Sequence, residues 1–370
     1  MYLSQLSLVN FKNYSDATLE LNSKLNCFIG YNGRGKTNLL DAIYYLTFCK
    51  SFLNPIDSQN IKIGEDFLLV QGDFEKDGKT AQVHCGIKRG QKKVFRINKK
   101  DYEKLADHIG EFPLVIISPA DINLITEGSD LRRKFLDGIL AQIDKSYLDT
   151  LANYNKALSQ RNALLKYFSK EHTFNQEQLE VWDKQLVRFG RIIGEQRKKI
   201  SADLIPVFQK YYNQIAENSE KVGLTYESQL AGEPFEDLLK SSVKKDIQRQ
   251  FTNIGIHKDD LSFTLEDHPV KKFASQGQQK TYLIALKLAQ LEFLRNIKKL
   301  TPILLLDDVF DKLDEKRVAQ LLQLVNSEEF GQIFLTDTDQ DRINKILVQI
   351  NIDHYLFEVA QGQVKRVELK

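Results

Sequence analysis

The stretch Gly30-Tyr31-Asn32-Gly33-Arg34-Gly35-Lys36-Thr37 constrains what this chain can fold into more than any other. It meets the pattern G-x-x-x-x-G-K-[ST] at every position. It follows the apolar run Leu25-Asn26-Cys27-Phe28-Ile29 and leads into a helical pattern over residues 38–46. Strand, glycine turn and helix in that order make a phosphate loop. Glycines let the backbone curl so that successive N–H groups converge, and the helix N-terminus adds a field that favours an anion. Lys36 then sets a cation against β- and γ-phosphate oxygens, and the Thr37 hydroxyl reaches Mg2+. Gly30, Tyr31, Asn32, Gly33, Arg34, Gly35, Lys36, Thr37 and Asn38 are the expected nucleotide contacts, Lys36 being catalytic as well. A chance glycine-rich turn is the competing reading, and it leaves both flanks unexplained.

A second constraint lies far along the chain. Ile303-Leu304-Leu305-Leu306-Asp307-Asp308 reads as an apolar strand ending in two carboxylates. Asp307 is expected at Mg2+, through water, and Asp308 as the group that polarises the attacking water. Alone, such a run is equally a buried strand ending in solvated acids; the phosphate loop shifts the balance. Asp311-Lys312-Leu313-Asp314 follows, at a position suited to passing information between two facing sites. Lys36 and Asp307 are about 270 residues apart, which implies a large insertion between them.

Periodicity says what is inserted. Leu3-Ser4-Gln5-Leu6-Ser7-Leu8-Val9 and Ala17-Thr18-Leu19-Glu20-Leu21 alternate as strands with one polar face. Further strands are expected at 67–75 and 80–88, joined by the turn Lys76-Asp77-Gly78-Lys79, and at 114–117. From about residue 130 the chain turns charged and helically periodic, as in Leu136, Ile139, Leu140, Ile143 and in Leu179, Trp182, Leu186, Phe189, Ile193. These helices, up to residue 215, are too short and irregular for an extended coiled coil. Residues 222–265 are mixed; one strong helix spans 275–294, and helix and strand alternate from the strand at 303–306 onward. The chain's 370 residues exceed what one core usually holds. The expected organisation is α/β: residues 1–129 together with 266–370 form a non-contiguous lobe of mixed sheets and helices, and 130–265 form an inserted, mainly α-helical lobe.

Phe273-Ala274-Ser275-Gln276-Gly277-Gln278-Gln279-Lys280 precedes the strong helix. A serine cap, a flexible glycine and helix N–H groups make another phosphate-sized site, with Ser275, Gly277 and Gln278 as its expected contacts. It resembles the ABC signature, and the three motifs in this order resemble the ABC ATPase superfamily. The resemblance implies an ABC-type P-loop ATPase head and an ATP-dependent homodimer, in which Ser275 of one copy caps the γ-phosphate held by the loop of the other. Further strings resemble the RecF family: Asn10-Phe11-Lys12-Asn13-Tyr14, Gly128 followed by Arg132-Arg133-Lys134-Phe135-Leu136-Asp137, Gln160-Arg161-Asn162-Ala163-Leu164-Leu165, and Ile256-His257-Lys258-Asp259-Asp260. That resemblance covers essentially the whole chain. It implies a weak, switch-like ATPase that binds double-stranded and gapped DNA at single-/double-strand junctions. RecR-like and RecO-like mediators would be its partners in loading a recombinase, with a place in recombinational repair, replication restart and the SOS response.

The chain departs from these patterns in places. Lys50-Ser51-Phe52-Leu53 lacks the arginines expected beside Ser51-Phe52, and Phe334-Leu335-Thr336-Asp337-Thr338 stands where many ABC proteins have a switch histidine. The γ-phosphate sensor is then either Thr336 or Asp337, and Asp121 is the candidate for the Mg2+-sensing neighbourhood. Asp308 in place of the usual glutamate shortens the reach to water by one methylene, which implies slow hydrolysis.

Net charge is only +2, so DNA binding has to rest on local clusters. Three stand out: Lys88, Arg89, Lys92, Lys93, Arg96, Lys99 and Lys100; Arg132, Arg133 and Lys134; and Arg188, Arg191, Arg197, Lys198 and Lys199. Each is read first as a solvated face balanced by acids, and Arg132 and Arg133 as structural partners of acids such as Asp137; only a dimer that doubles each patch and the family resemblance give DNA binding weight. His257 is read as a local hydrogen-bonding group. Cys27, Cys49 and Cys85 are too scattered for a disulfide framework or a zinc site and point to a reduced, cytoplasmic compartment. No signal peptide opens the chain, and no apolar run reaches the ~20 residues needed to cross a bilayer. The alternatives are an ATPase subunit energising a membrane transporter, an SMC-like architectural ATPase, and a nuclease with an ABC head.

Overall fold

The computed structural model describes residues 1–216, 220–310, 315–325, 329–350 and 352–368; the Asp311-Lys312-Leu313-Asp314 stretch lies outside them. The chain begins with β1 (Tyr2–Phe11), β2 (Tyr14–Glu20), β3 (Leu25–Ile29), α1 (Lys36–Phe48), β4 (Phe67–Lys76), β5 (Lys79–Lys88), β6 (Val94–Ile97), β7 (Lys100–Asp101) and β8 (Leu114–Ile117). Next come α2 (Asn123–Thr126), α3 (Ser129–Ile143), α4 (Lys145–Glu171), α5 (Gln176–Ala216), β9 (Val222–Glu227), α6 (Phe235–Arg249), β10 (Asp260–Leu265), β11 (His268–Pro269) and α7 (Val270–Phe273). The last part holds α8 (Gln276–Lys298), β12 (Ile303–Asp307), α9 (Glu315–Val325), β13 (Ile333–Asp337), α10 (Gln340–Ile350), β14 (His354–Ala360) and β15 (Gln363–Val367). Two compact units result. The first is Met1–Asp121, Lys210–Asn218 and Gln276–Lys370; the second is Ile122–Gln209 and Ser219–Ser275.

The first unit contains two six-stranded sheets. One is antiparallel, in the order β2-β1-β4-β5-β6-β7. Its β1 buries Leu3, Leu6 and Leu8 despite their uneven spacing, because the pairing with β4 slips between Leu3 and Gln5. A bulge there restores the alternation. The β4–β5 hairpin turns through Asp77 and Gly78, both at positive φ (52° and 72°), the backbone that a two-residue hairpin turn demands. β6 and β7 run through the first basic cluster, whose charges hide their short apolar pattern.

The other sheet has the order β15-β14-β3-β13-β12-β8, parallel throughout except for the edge strand β15. Every residue of β3, β8, β12 and β13 is buried. Strands covered on both faces read as unbroken apolar runs, which is why the sequence betrays them. β13 lies between β3 and β12, an order the sequence does not declare.

The second unit combines α3, α4, most of α5, and α6 with the three-stranded sheet β11-β10-β9. α5 is a single 41-residue helix, about 60 Å long at 1.5 Å per residue. Leu179, Leu186, Ile193 and Ile200 recur every seven residues along it and are all buried. Buried ion pairs hold this unit. Arg161 reaches Asp183 (2.6 Å), Asp246 (2.7 Å) and the Thr252 hydroxyl (3.0 Å). Arg197 grips Asp137 with two nitrogens at 2.8 and 2.9 Å.

The expected pairing of Arg132 and Arg133 with Asp137 is therefore corrected. Arg132 binds Asp260 in bidentate fashion (2.7 and 2.9 Å), and Arg133 donates to the Ser129 hydroxyl and the Asp259 carbonyl. Both arginines are structural, as one reading had it, but the acid is Asp260 at the start of β10, 128 residues beyond Arg132, and Arg133 stays with Ser129 of its own helix and the carbonyl just before that strand.

Candidate nucleotide site at the strand ends

Parallel α/β sheets gather ligands outside the carboxyl ends of their strands. At that end of β3 the chain enters the glycine loop, at that of β12 it reaches Asp307 and Asp308, and at that of β13, between them, it reaches Thr336 and Asp337. Gly33 and Gly35 sit at φ 74° and 112°, where a side chain is strained, and a Cβ on Gly35 would strike the Asn13 side chain. Gly35 caps α1 without offering a side-chain acceptor. The first-turn N–H groups of α1 thus have neither partners within the helix nor a side-chain cap, an arrangement that suits an anion. Tyr31, Asn32, Gly33 and Arg34 form the exposed crest of the loop, and Thr37 and Asn38 are half-buried behind it.

Lys36 is buried and spans the loop, donating to the carbonyls of Gly30 (2.8 Å) and Tyr31 (3.3 Å). Thr37 donates its hydroxyl proton to Asp307 Oδ1 at 2.9 Å, joining motifs 270 residues apart. Thr336 donates to the same oxygen at 2.8 Å and accepts the Asp308 N–H at 3.0 Å. Burial raises the Asp307 carboxyl above its ordinary range, opposed by the two threonine hydroxyls and the Lys36 charge. Asp337 is raised for the same reason, and the charge of Asp308 adds to it. Its Oδ1 accepts from the Asp339 N–H (2.8 Å) and pairs with Arg342 (3.3 Å). Asp121 is fully engaged, by Lys287 (2.8 Å) and by the Ser118 N–H (2.8 Å). It is a buried structural ion pair, and the Mg2+-sensing expectation for it is withdrawn.

The donor set fits a magnesium nucleotide. Among the described residues no group of three or more His, Cys, Asp or Glu side chains gathers as a metal cage. Mg2+ commonly needs only one or two protein carboxylates, the rest of its shell coming from phosphates and water. Asp307 supplies one carboxylate, with the Thr37 hydroxyl beside it.

Sequence reasoning missed the groups behind the loop, although it had singled out the string that carries them. Asn13 donates to the Arg34 carbonyl (3.0 Å) and accepts from the Asn38 amide (2.7 Å), while the Tyr14 hydroxyl donates to the Gly35 carbonyl (3.0 Å). Lys12 pairs with buried Asp41 of α1, which also accepts from the Ser51 hydroxyl and the Phe52 N–H, both at 2.6 Å. Ser51-Phe52 thus anchors α1 without arginines beside it. The strand-turn residues 12–14 brace the loop from below, a role that shows only once β1 and β2 are laid against it.

Ser275, Gly277 and Gln278 stand on a different element. Ser275 is exposed just ahead of α8, and the other two lie in its first turn. Of the basic clusters, Lys93 is spent on Asp57 (2.8 Å) and the Cys49 carbonyl (2.6 Å), Arg96 on Asp101 (2.7 Å), and Arg197 on Asp137. Lys88, Arg89, Lys92, Lys99, Lys100, Lys134, Arg188, Arg191, Lys198 and Lys199 remain exposed. His257 bonds Tyr154 and the Thr252 carbonyl, as a local hydrogen-bonding group does. Among the described residues no helix is long and apolar enough to cross a membrane.

Residues 2–355 match the family model of the RecF/RecN/SMC N-terminal domain. The Smc head of Pyrococcus furiosus superposes with a TM-score of 0.58 at 15% identity, covering 100% of this chain and 96% of that one, and so shares the fold. Fold and site together define a P-loop ATPase head of the ABC/SMC type. More similar proteins narrow the class. The DNA replication and repair protein RecF of Flavobacterium johnsoniae is 50% identical over 359 residues, spanning 97% of this chain and 100% of that protein. RecF of Phocaeicola vulgatus is 50% identical over 366 residues, 98% of each chain. A solved RecF–ATP structure, described as a recombination mediator in the RecFOR pathway, superposes with a TM-score of 0.89 at 31% identity, covering 99% and 98%. The chain belongs to the RecF family of DNA replication and repair proteins. Family membership displaces the transporter, architectural and nuclease readings.

Proposed function

We propose that this chain is a cytoplasmic, ATP-switched DNA clamp of recombinational repair and replication restart. ATP and Mg2+ supply a phosphoanhydride and the charge that neutralises its leaving oxygens. Gly30 through Asn38 wrap the phosphates with backbone N–H groups, Lys36 turns its ammonium from loop carbonyls to the β/γ oxygens, and Thr37 and Asp307 hold the metal side. Asp308 orients the attacking water. Residues 1–129 together with 266–370 serve as the ATPase lobe and 130–265 as the inserted lobe. Two copies meet head to tail, with Ser275, Gly277 and Gln278 of each capping the nucleotide of the other. The closed pair grips double-stranded and gapped DNA at single-/double-strand junctions and meets RecR-like and RecO-like mediators. The exposed lysines and arginines provide phosphate contacts, which makes binding salt-dependent and poor in sequence information. The short side chain of Asp308 suits slow hydrolysis that resets a switch.

The observation that carries this reading is the 2.9 Å bond from Thr37 to Asp307, which makes one site of two distant motifs. Light scattering with and without ATP and gapped DNA tests it. The parent should dimerise with ATP, more so with gapped DNA, and Lys36→Ala should stay monomeric. A parent that remains monomeric with both ligands would refute the clamp.

A further inference from the structure

β13 is the strand that the phosphate-loop strand and the Asp-Asp strand share as a neighbour. Thr336 lies in register with Asp307, and Asp337 with Ile29. The Thr336 side chain is fully buried. A hydroxyl has one proton to give and two lone pairs to offer. Here the proton goes to Asp307 Oδ1 at 2.8 Å, and a lone pair takes the Asp308 N–H at 3.0 Å. Asp308 is thereby held at φ 44°, in the left-handed region that few non-glycine residues occupy. Asp307 Oδ1 receives two hydroxyl protons, from Thr37 and Thr336, and Oδ2 is the oxygen that neither threonine engages.

We propose that Thr336 is a positioning residue for both carboxylates at once, fixing the metal-side Asp307 through its side chain and the water-side Asp308 through its backbone. Its only proton is committed to Asp307, so Thr336 has none to donate to a γ-phosphate. The inference rests on the reading of this site as a magnesium-nucleotide site.

The test compares Thr336→Val, which keeps the shape and loses the hydroxyl, with Thr336→Ser, which keeps the hydroxyl. Binding of a fluorescent ATP analogue is titrated with Mg2+ and repeated in chelator, and hydrolysis is measured alongside. Groups that hold a metal ligand in place typically contribute tenfold to a hundredfold. For T336V the Mg2+ concentration at half-saturation should rise, and turnover should fall, by about ten- to a hundredfold. Nucleotide affinity in chelator should stay within about twofold, and T336S should recover most of both losses. If T336V cannot be folded, Thr336→Ala is held to the same expectations. A hydroxyl-free variant with the parent Mg2+ requirement and rate overturns the proposal, as does a T336S as impaired as T336V. Lys36→Ala is the separate control: if it binds nucleotide like the parent, the site reading itself fails, whatever Thr336 does.

Discussion

Lys36 in the first unit and Arg161 in the second are both buried cations, and their surroundings are opposite. Arg161 is answered by two carboxylates, Asp183 and Asp246, whose side chains are 10% and 0% exposed. Lys36 is answered by two backbone carbonyls. The acids differ in the same way. Asp246 meets a guanidinium directly, whereas Asp307 is bonded by the neutral hydroxyls of Thr37 and Thr336 and feels the Lys36 charge without a direct bond to it. A charge answered by an opposite charge is spent on structure, and one answered by dipoles keeps its field for something else. That distinction, rather than the presence of basic and acidic residues, separates the site from the scaffold. It also explains why most of the second unit's sequence-conspicuous arginines turn inward.

The largest expected effect breaks the structural side. Arg161→Met leaves two buried carboxylates uncompensated and should cost about 3–5 kcal/mol, the usual penalty for stripping one partner from a buried ion pair. Urea unfolding followed by tryptophan fluorescence reads this directly, because Trp182 neighbours Asp183 in α5. Adding Asp183→Asn and Asp246→Asn to R161M should recover most of the loss. A single variant as stable as the parent would show that the cluster is not what holds the unit.

Next in size is Asp308→Asn, which should spare folding and reach only the chemistry. A positioned general base contributes typically a hundredfold or more. Turnover should therefore fall at least about a hundredfold while ATP still binds and the dimer persists longer. Hydrolysis at the parent rate would take Asp308 out of its role. Set beside R161M, the pair separates charge that acts on stability from charge that acts on rate.

How much of this was legible beforehand follows the same division. The glycine loop, the Ile303–Asp307 strand with Asp308 beyond it, and the buried strands are contiguous strings whose meaning survives without neighbours. Partnerships across the chain were not legible. The Asp260 partner of Arg132, the Lys287 partner of Asp121, and the seat of Asn13 and Tyr14 beneath the loop all depend on topology. Thr336 is the sharpest case. Its significance comes from β13 lying between β3 and β12, and no local pattern encodes a strand order. β6 and β7 escaped because lysines and arginines interrupt their few apolar positions.

The smallest effect sharpens the comparison with a charge that the second unit declines to carry. His257 is held neutral, its pKa lowered to about 4, chiefly by burial and further by the charges of Lys258, Arg133 and Arg161. Both ring nitrogens are used in that neutral form: Nδ1 lies 2.8 Å from the Tyr154 hydroxyl and Nε2 3.0 Å from the Thr252 carbonyl. The carbonyl can only accept, so Nε2 carries the hydrogen and Nδ1 accepts from the tyrosine. Unfolded, the imidazole regains its ordinary pKa near 6.5. As pH falls from about 6.5 to about 4 the unfolded chain takes up a proton that the folded chain refuses. The contribution of His257 is therefore complete above pH 6.5 and is lost as pH falls towards 4, about 1–3 kcal/mol in all. Buried acids such as Asp183 and Asp259, both raised, titrate with the opposite sign. The measurement is consequently a difference, the pH dependence of the urea midpoint for the parent minus that for His257→Gln. Glutamine donates to Thr252 and accepts from Tyr154 without titrating, so the difference should slope downward between pH 6.5 and 4. A flat difference would mean that the pocket tolerates an imidazolium, and that the second unit's arginines do not set its charge as tightly as Lys36 and Asp307 leave theirs open.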